Sequence, residues 1–352
     1  MTAFLELDSL EKRFGDLPVT RGVSLSAQKG EIVALLGPSG SGKTTILRLT
    51  AGFETPDSGR ILVEGEDVTR TEPEKRRFVM VFQHYALFPH MTVSENVAFG
   101  LEAQGVASGE IPRRVSETLA VVDLSGFEER RVTQLSGGQQ QRVAVARALA
   151  PSPRVLLLDE PLSNLDPTLR DRTRRELKRL IRRVGITTVL VTHEQEEAFE
   201  LGDRVAVMNR GRLEQVGSPE ELYDRPATRF VATFVGRSNV FEGTWQDGTV
   251  RLAEGVAWPA EARDGVRGGA PVDVVVRPAA LTLSAGAPGG ALAGEVLERR
   301  YAGSETFVLV RLDSGREVEV EAGRGAGKPG DRVHVAPAPG APPPPAFPRE
   351  AE

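Results

Sequence analysis

The stretch EIVALLGPSGSGKTTILRLTAG, Glu31 to Gly52, constrains this chain more than any other. An apolar run of strand length leads directly into a glycine-rich loop, and apolar residues at helical spacing follow. The loop GPSGSGKT, Gly37 to Thr44, carries the P-loop pattern in the strand-to-helix context that the pattern requires. Glycines let the backbone N–H groups of Gly37, Pro38, Ser39, Gly40, Ser41 and Gly42 (Pro38 excepted) bend around phosphates, and the helix start behind them adds its positive dipole end. Lys43 is expected to reach β and γ phosphates, Thr44 to offer its hydroxyl to Mg²⁺, and Thr45 to close the loop. The chain has six lysines in 352 residues, so a lysine at the motif position carries weight.

Such a loop needs a parallel sheet, and the first two-thirds of the chain supplies its rhythm. EIVALL, RVLLLD (Arg154 to Asp159), TTVLVT (Thr187 to Thr192) and RVAVM (Arg204 to Met208) read as buried strands alternating with helical stretches. Between Phe82 and Leu149 the strand pattern gives way to helical spacing, which predicts a helical subdomain over about 84–150 inside an α/β domain of 1–235. From about Gly236 the texture becomes short β runs broken by Gly and Pro. VDVVVRP, LTLS, GEVLERRYAG, TFVLVRL, REVEVE and RVHVAP predict a small all-β domain over 236–336, with FVLVRL-DSG-REVEVE as a hairpin. APAPGAPPPPAFPREAE, 337–352, is Pro-rich and reads as disordered.

Three strand ends add candidate chemistry. Asp159 and Glu160 close RVLLLDE, where the loops of a parallel sheet meet ligands. Asp159 suits coordination of Mg²⁺, and Glu160 suits activation of an attacking water. His193 stands at the tip of TTVLVTHE, next to where a γ-phosphate would lie. A second Ser-Gly-Gly helix start, in QLSGGQQQRVAVARALA (Gln134 to Ala150), places Ser136, Gly137, Gly138 and Gln139 as further phosphate contacts in a separate part of the chain.

Composition narrows the classes. With 40% hydrophobic and 26% charged residues and no apolar run of the roughly 20 residues that span a bilayer, the chain reads as globular. The N-terminus lacks a secretory pattern, so a cytosolic location is expected. There is no cysteine, which removes disulfides, thiolate nucleophiles and cysteine metal sites. A net charge of -5 gives no general attraction to nucleic acid, and no nucleic-acid partner is expected. The most basic run, RTRRELKRLIRRVG, reads as the wet face of an amphipathic helix.

GPSGSGKT, the Gln83 of VFQHYALFPH, LSGGQQQR, VLLLDEP, SNLD and VTHE stand in the order and spacing of an ATP-binding cassette ATPase, and over about two-thirds of its length the chain resembles that family. The resemblance implies a P-loop NTPase cassette with a helical subdomain. By it, Phe14 stacks on adenine, with an ordinary core position as the alternative; Gln83 joins Mg²⁺ and the attacking water to the helical subdomain; Glu160 is the catalytic carboxylate; His193 senses the γ-phosphate; and Asp166 of SNLD contacts a partner subunit. It further implies a head-to-tail homodimer in which each copy lends Ser136 to Gln139 to the other's ATP. FVGRSNVFEG, VVRPAALTL and LERRYAGSETFVLVRLDSG resemble the OB-like TOBE domain that follows the cassette in importers of polyamines, ferric iron, sulfate, molybdate and sugars. The resemblance then implies a peripheral subunit at the cytoplasmic face of the inner membrane, with integral membrane permease subunits as partners and an extracytoplasmic solute-binding protein acting indirectly. Tyr85, Leu87 and Phe88 are candidates for the groove that receives a permease helix, with core positions as the alternative. Polyamine or ferric-ion import is favoured over sugar import. The competing classes are a DNA-repair or translation cassette and a regulatory protein whose β-domain binds an oxyanion.

Overall fold

The computed structural model describes residues 3–323, 325 and 327–349. They separate into two compact units, Met1–Pro219 and Glu220–Glu352.

The first unit is built on a six-stranded sheet. Ile32–Leu36 lies at its centre, parallel to Thr187–Thr192 on one side and to Arg204–Asn209 on the other. Val155–Asp159 and Phe78–Val81 extend the parallel side, and Arg212–Gly217 adds an antiparallel edge. The central strands Ile32–Leu36, Val155–Asp159, Thr187–Thr192 and Arg204–Asn209 are buried along most of their length because both faces are covered. Val33, Leu35, Val155, Leu157, Val189 and Val191 point with period two into a core shared with Ile46, Leu47 and Leu49 of the Lys43–Ala51 helix. The other side of that core is closed by Leu5, Leu7, Val23, Leu25, Ile61 and Val63 of a four-stranded antiparallel sheet. Ala34 faces the opposite way, where a Cβ on Gly202, after the Gln195–Leu201 helix, would lie 3.1 Å from its own.

Three helices follow Phe78–Val81 before the chain returns to the sheet: Val93–Ala103, Ile111–Val121 and Gly137–Leu149. Thr92 and Ser136 begin the first and third with capping boxes, closed by Glu95 and Gln139. Asn96, fully buried, donates to the Phe88 and Thr92 carbonyls and accepts from the Phe88 N–H, so it fixes the approach to the first helix.

The second unit begins earlier than the change in sequence texture near Gly236, because the Arg229–Phe234 helix before that point buries its apolar side on it. Ala232 of Arg229–Phe234 packs with Val275 and Phe347. Arg277 ties the helix down by donating to the carbonyls of Ala232 and Val235 at 2.8 and 2.6 Å. The expected β runs form two sheets around one core of Phe241, Trp258, Val272, Val274, Val296, Val308 and Val310. The DSG hairpin pairs Arg311 with Glu317 and Phe307 with Glu321. The Pro-rich segment expected to be disordered instead contains a strand, Pro345–Pro348, which pairs with Val272–Val274. Between its prolines Ala346 and Phe347 are buried, and that pair of side chains supplies the apolar contact that composition alone discounts.

Candidate functional site

Gly37 to Thr44 joins Ile32–Leu36 to Lys43–Ala51 in a turn too tight for side chains at two positions. A Cβ on Gly37 would lie 2.3 Å from the Met208 carbonyl oxygen, and one on Gly42, whose φ is 99°, 2.8 Å from that of Val19. Pro38, Ser39, Gly40 and Thr44 face solvent, whereas Ser41 and Lys43 are buried and Thr45 is half-buried. The Lys43 ammonium donates to the Gly37 and Pro38 carbonyls at 2.8 and 2.9 Å, so the loop closes over its own cation. Burial lowers the Lys43 pKa, opposed by the charges of Glu160 and Asp159.

Asp159 closes and Glu160 follows Val155–Asp159, which lies one strand beyond Thr187–Thr192 from the strand that feeds this loop. The Thr44 hydroxyl meets Asp159 Oδ1 at 3.5 Å. Burial, and then the adjacent Glu160, raises the Asp159 pKa against the lowering effects of Arg48, the Thr44 hydroxyl and Lys43. Glu160 is in the left-handed region at φ 46°, and its N–H donates to the Val191 carbonyl at 2.9 Å. That turn aims its carboxylate between two groups from other strand ends. Gln83 Nε2 donates to Oε2 at 3.1 Å, and His193 Nδ1 lies 3.0 Å from Oε1. Lys43, Thr44, Asp159, Glu160, Gln83 and His193 are thus brought together at one edge of the sheet.

The other candidates stand apart from the phosphate loop. Ser136 Oγ accepts from the Gln139 N–H at 3.4 Å, and Gln139 Oε1 accepts from the Ser136 N–H at 3.0 Å. Gly137 is packed so that a Cβ would lie 2.8 Å from Leu165, and one on Gly138 would lie 3.3 Å from the Thr173 hydroxyl. The LSGGQ helix start therefore rests against the SNLD turn. There Asp166 caps Pro167–Val184 by accepting from the Leu169 N–H at 3.0 Å. Phe14, at the end of Leu5–Phe14, is 48% exposed, which excludes a core position, and Lys12 Nζ lies 5.4 Å from its ring centroid. Leu87 and Phe88 are half-buried, and the exposed Phe99 packs tilted against Phe88 at 4.6 Å between centroids. Tyr85 is buried, at 5% exposure.

Two further residues hold the Gln83 segment in place. Asn164 donates to the Gln83 carbonyl. Arg147, from the helix that begins at Gly137, donates to the carbonyls of Tyr85 and Ala86, each at 2.8 Å. Burial, and behind it the charge of Glu197, pushes the Tyr85 phenol up to about 12. Glu197 is 2% exposed, and burial raises its carboxyl from 4.5 to about 7, despite a hydrogen bond from Thr192 that lowers it. Asn164 lies within a motif already visible in the sequence, and Tyr85 within the string that carries Gln83; Arg147 bonds to residues 61 and 62 positions away, so nothing local marks it.

The folded chain holds the Glu197 proton to higher pH than the unfolded chain does. Its contribution to stability is therefore greatest below the unfolded pKa near 4.5, and is lost as pH rises through about 7. Glu197→Gln removes that loss. Its thermal midpoint by calorimetry should rise above that of the parent at about pH 8 and much less at about pH 5, a difference on the order of 3 kcal/mol.

Residues 20–163 match the family model described as ABC transporter, and residues 274–342 match that of the TOBE domain. The chain is 48% identical over 343 residues to the spermidine/putrescine import ATP-binding protein PotA of Rubrobacter xylanophilus, covering 94% of this chain and 91% of that one. It is 52% identical over 281 residues to the Fe(3+) ions import ATP-binding protein FbpC of Escherichia coli K12, covering 80% of each. Among solved structures, a nucleotide-free ATP-binding cassette from an ABC transporter superposes with a TM-score of 0.59 at 27% identity, covering 66% of this chain and 98% of that one.

Proposed function

Because this chain belongs to the ATP-binding cassette family of transporter ATPases, we propose that it hydrolyses ATP to drive import of a polyamine, ferric iron or another small ion through separate membrane subunits. The observation that carries the catalytic reading is the Glu160 carboxylate, gripped between Gln83 and His193 beside the phosphate loop. The import reading rests on likeness to import subunits along nearly the whole chain.

In this reading the loop from Gly37 to Thr45 holds the triphosphate, with the N–H groups and Lys43 turned to phosphate oxygens, and the exposed Phe14 ring stacks on adenine. Glu160 takes the proton of the attacking water, and His193 orients the carboxylate through Nδ1. The hydroxyl and carboxylate oxygens of Thr44 and Asp159, with the Gln83 amide oxygen, are hard donors that fit Mg²⁺. No group of three acidic, His or Cys side chains among the described residues forms a metal cage, which fits an ion carried in on phosphate oxygens. When bound, that ion neutralises charge developing on the phosphates.

Ser136 to Gln139 and Asp166 have no bond to their own chain's phosphate loop among the described residues, which supports a role toward the nucleotide of a second copy. Leu87, Phe88 and Phe99 form an apolar patch suited to a membrane subunit's helix. No described helix is long and apolar enough to cross a membrane, so this reading places the chain peripherally, on the cytoplasmic side.

The test is hydrolysis by the full chain co-reconstituted with its membrane subunits in vesicles. Stimulation by those subunits, with ATP-dependent uptake of labelled spermidine or ferric iron, is expected. Hydrolysis indifferent to the membrane subunits but stimulated by DNA would replace this reading with that of a nucleic-acid cassette.

A further inference from the structure

The His193 side chain is 48% exposed, and among the described residues its ring makes one hydrogen bond, to Glu160 Oε1. A ring this open takes its direction from the backbone that carries it. Two bonds hold that backbone. The Glu194 N–H donates to the Thr192 hydroxyl at 3.0 Å, which closes a turn across His193. The Glu194 carboxylate then accepts from Arg170 Nη1 at 2.5 Å. Glu194 stands at the N-cap of the Gln195–Leu201 helix, where a side chain ordinarily accepts from the helix's first N–H groups, yet it makes no such bond. Its carboxylate is spent instead on a residue 24 positions back in the chain.

Arg170 reaches a second loop with its other prong. Nη2 donates to the Leu165 carbonyl at 3.1 Å, inside the SNLD turn. Leu165 is itself buried, and its side chain is what leaves no room for a Cβ on Gly137 at the LSGGQ helix start. The Arg170 and Glu194 side chains are 22% and 27% exposed, so water screens their pairing less than it screens a fully wet ion pair. The guanidinium is a planar fork, which fixes the angle between its two partners as well as their distance. One side chain thus ties the loop that holds His193 to the turn on which LSGGQ rests.

We infer that Arg170 is a positioning residue for hydrolysis: by holding the Glu194 carboxylate against the SNLD turn, it sets the backbone that aims His193 at Glu160. The inference rests on the catalytic roles proposed above for Glu160 and His193. Its consequence is that a shift of the LSGGQ start or of the SNLD turn reaches His193 through a single guanidinium.

Two measurements on the purified full chain test this, with Arg170→Met, Glu194→Met and the double variant. In steady-state ATP hydrolysis Arg170→Met should lower kcat about tenfold, the scale of a displaced catalytic group, while KM for ATP stays within about twofold. Glu194→Met cuts the same bond from its other end, so the double variant should be no slower than the slower single. The second measurement is imidazole NMR on isotope-labelled chain, which has four histidines to resolve. Arg170→Met should move the His193 signal and leave the other three in place. A parent-like kcat in Arg170→Met, a double variant whose loss is the product of the single losses, or an unmoved His193 signal overturns the inference. A merely structural role would raise KM and lower the thermal midpoint along with kcat. Should Arg170→Met not fold, Glu194→Met is read by the same two measurements. His193→Ala, which assigns the signal, also separates the two levels. Turnover there at the parent's rate sinks the catalytic reading of His193, whereas a slow His193→Ala beside a normal Arg170→Met sinks only the role of Arg170.

Discussion

Glu160→Gln should reduce ATP turnover at least about 100-fold while leaving ATP affinity within a few-fold of the parent, the loss typical of a general base. The amide retains the size of the carboxylate and can still meet Gln83 and His193, whose distances to Glu160 are 3.1 and 3.0 Å, so the site keeps its form. What disappears is the group that takes a proton from water. With hydrolysis stopped and binding intact, ATP should hold two copies together, since a ligand that binds the closed pair better than the open one accumulates the closed pair. Size-exclusion chromatography with and without ATP measures this directly. A variant that turns over normally removes the catalytic assignment, and one that binds ATP but elutes only as a monomer removes the shared-site reading.

Lys43→Ala should weaken ATP binding on the order of 100-fold or more, read by calorimetry. Charge-assisted bonds to phosphate are worth about 1.5–3 kcal/mol each, and a lysine reaching two phosphate groups accounts for the loss. A second effect acts in the same direction. The ammonium donates to the carbonyls of Gly37 and Pro38, so its removal strips the loop of the contacts that hold its turn. Lys43→Arg separates the two, because it keeps the charge and alters the fit; affinity lost there as well points to geometry, and affinity kept points to charge. Unchanged affinity in Lys43→Ala would leave the phosphate loop without its central residue.

The parallel strands, the phosphate loop and the β hairpin were legible because each is a local pattern. Ile32–Leu36 is apolar from end to end, Thr187–Thr192 carries the run VLV between threonines, and DSG marks the turn between two alternating runs. The antiparallel sheet of the first unit was not legible, and a bulge explains why. Leu5 and Leu7 are buried with period two, but Ser9 at φ 52° adds a residue, so the next buried leucine is Leu10 and the alternation breaks. In the site, residues within recognisable strings were visible in advance. Arg147 was not, because the carbonyls it holds lie 61 and 62 residues away and nothing in QRVAVARAL distinguishes an arginine that faces solvent from one that folds back. Tyr85 illustrates the limit within a motif: the string places it near Gln83 and leaves groove and core positions open, and only the folded chain shows it buried.

Glu160 also bears on how this chain responds to selection. A non-glycine residue at φ 46° is strained, by an amount on the order of 1 kcal/mol, and Gly or Asn would occupy the same backbone more comfortably. The position therefore trades stability for chemistry. A screen of random variants for heat resistance alone would enrich replacements here that melt later and no longer turn over ATP, so thermal selection on this chain needs an activity gate to keep its working form.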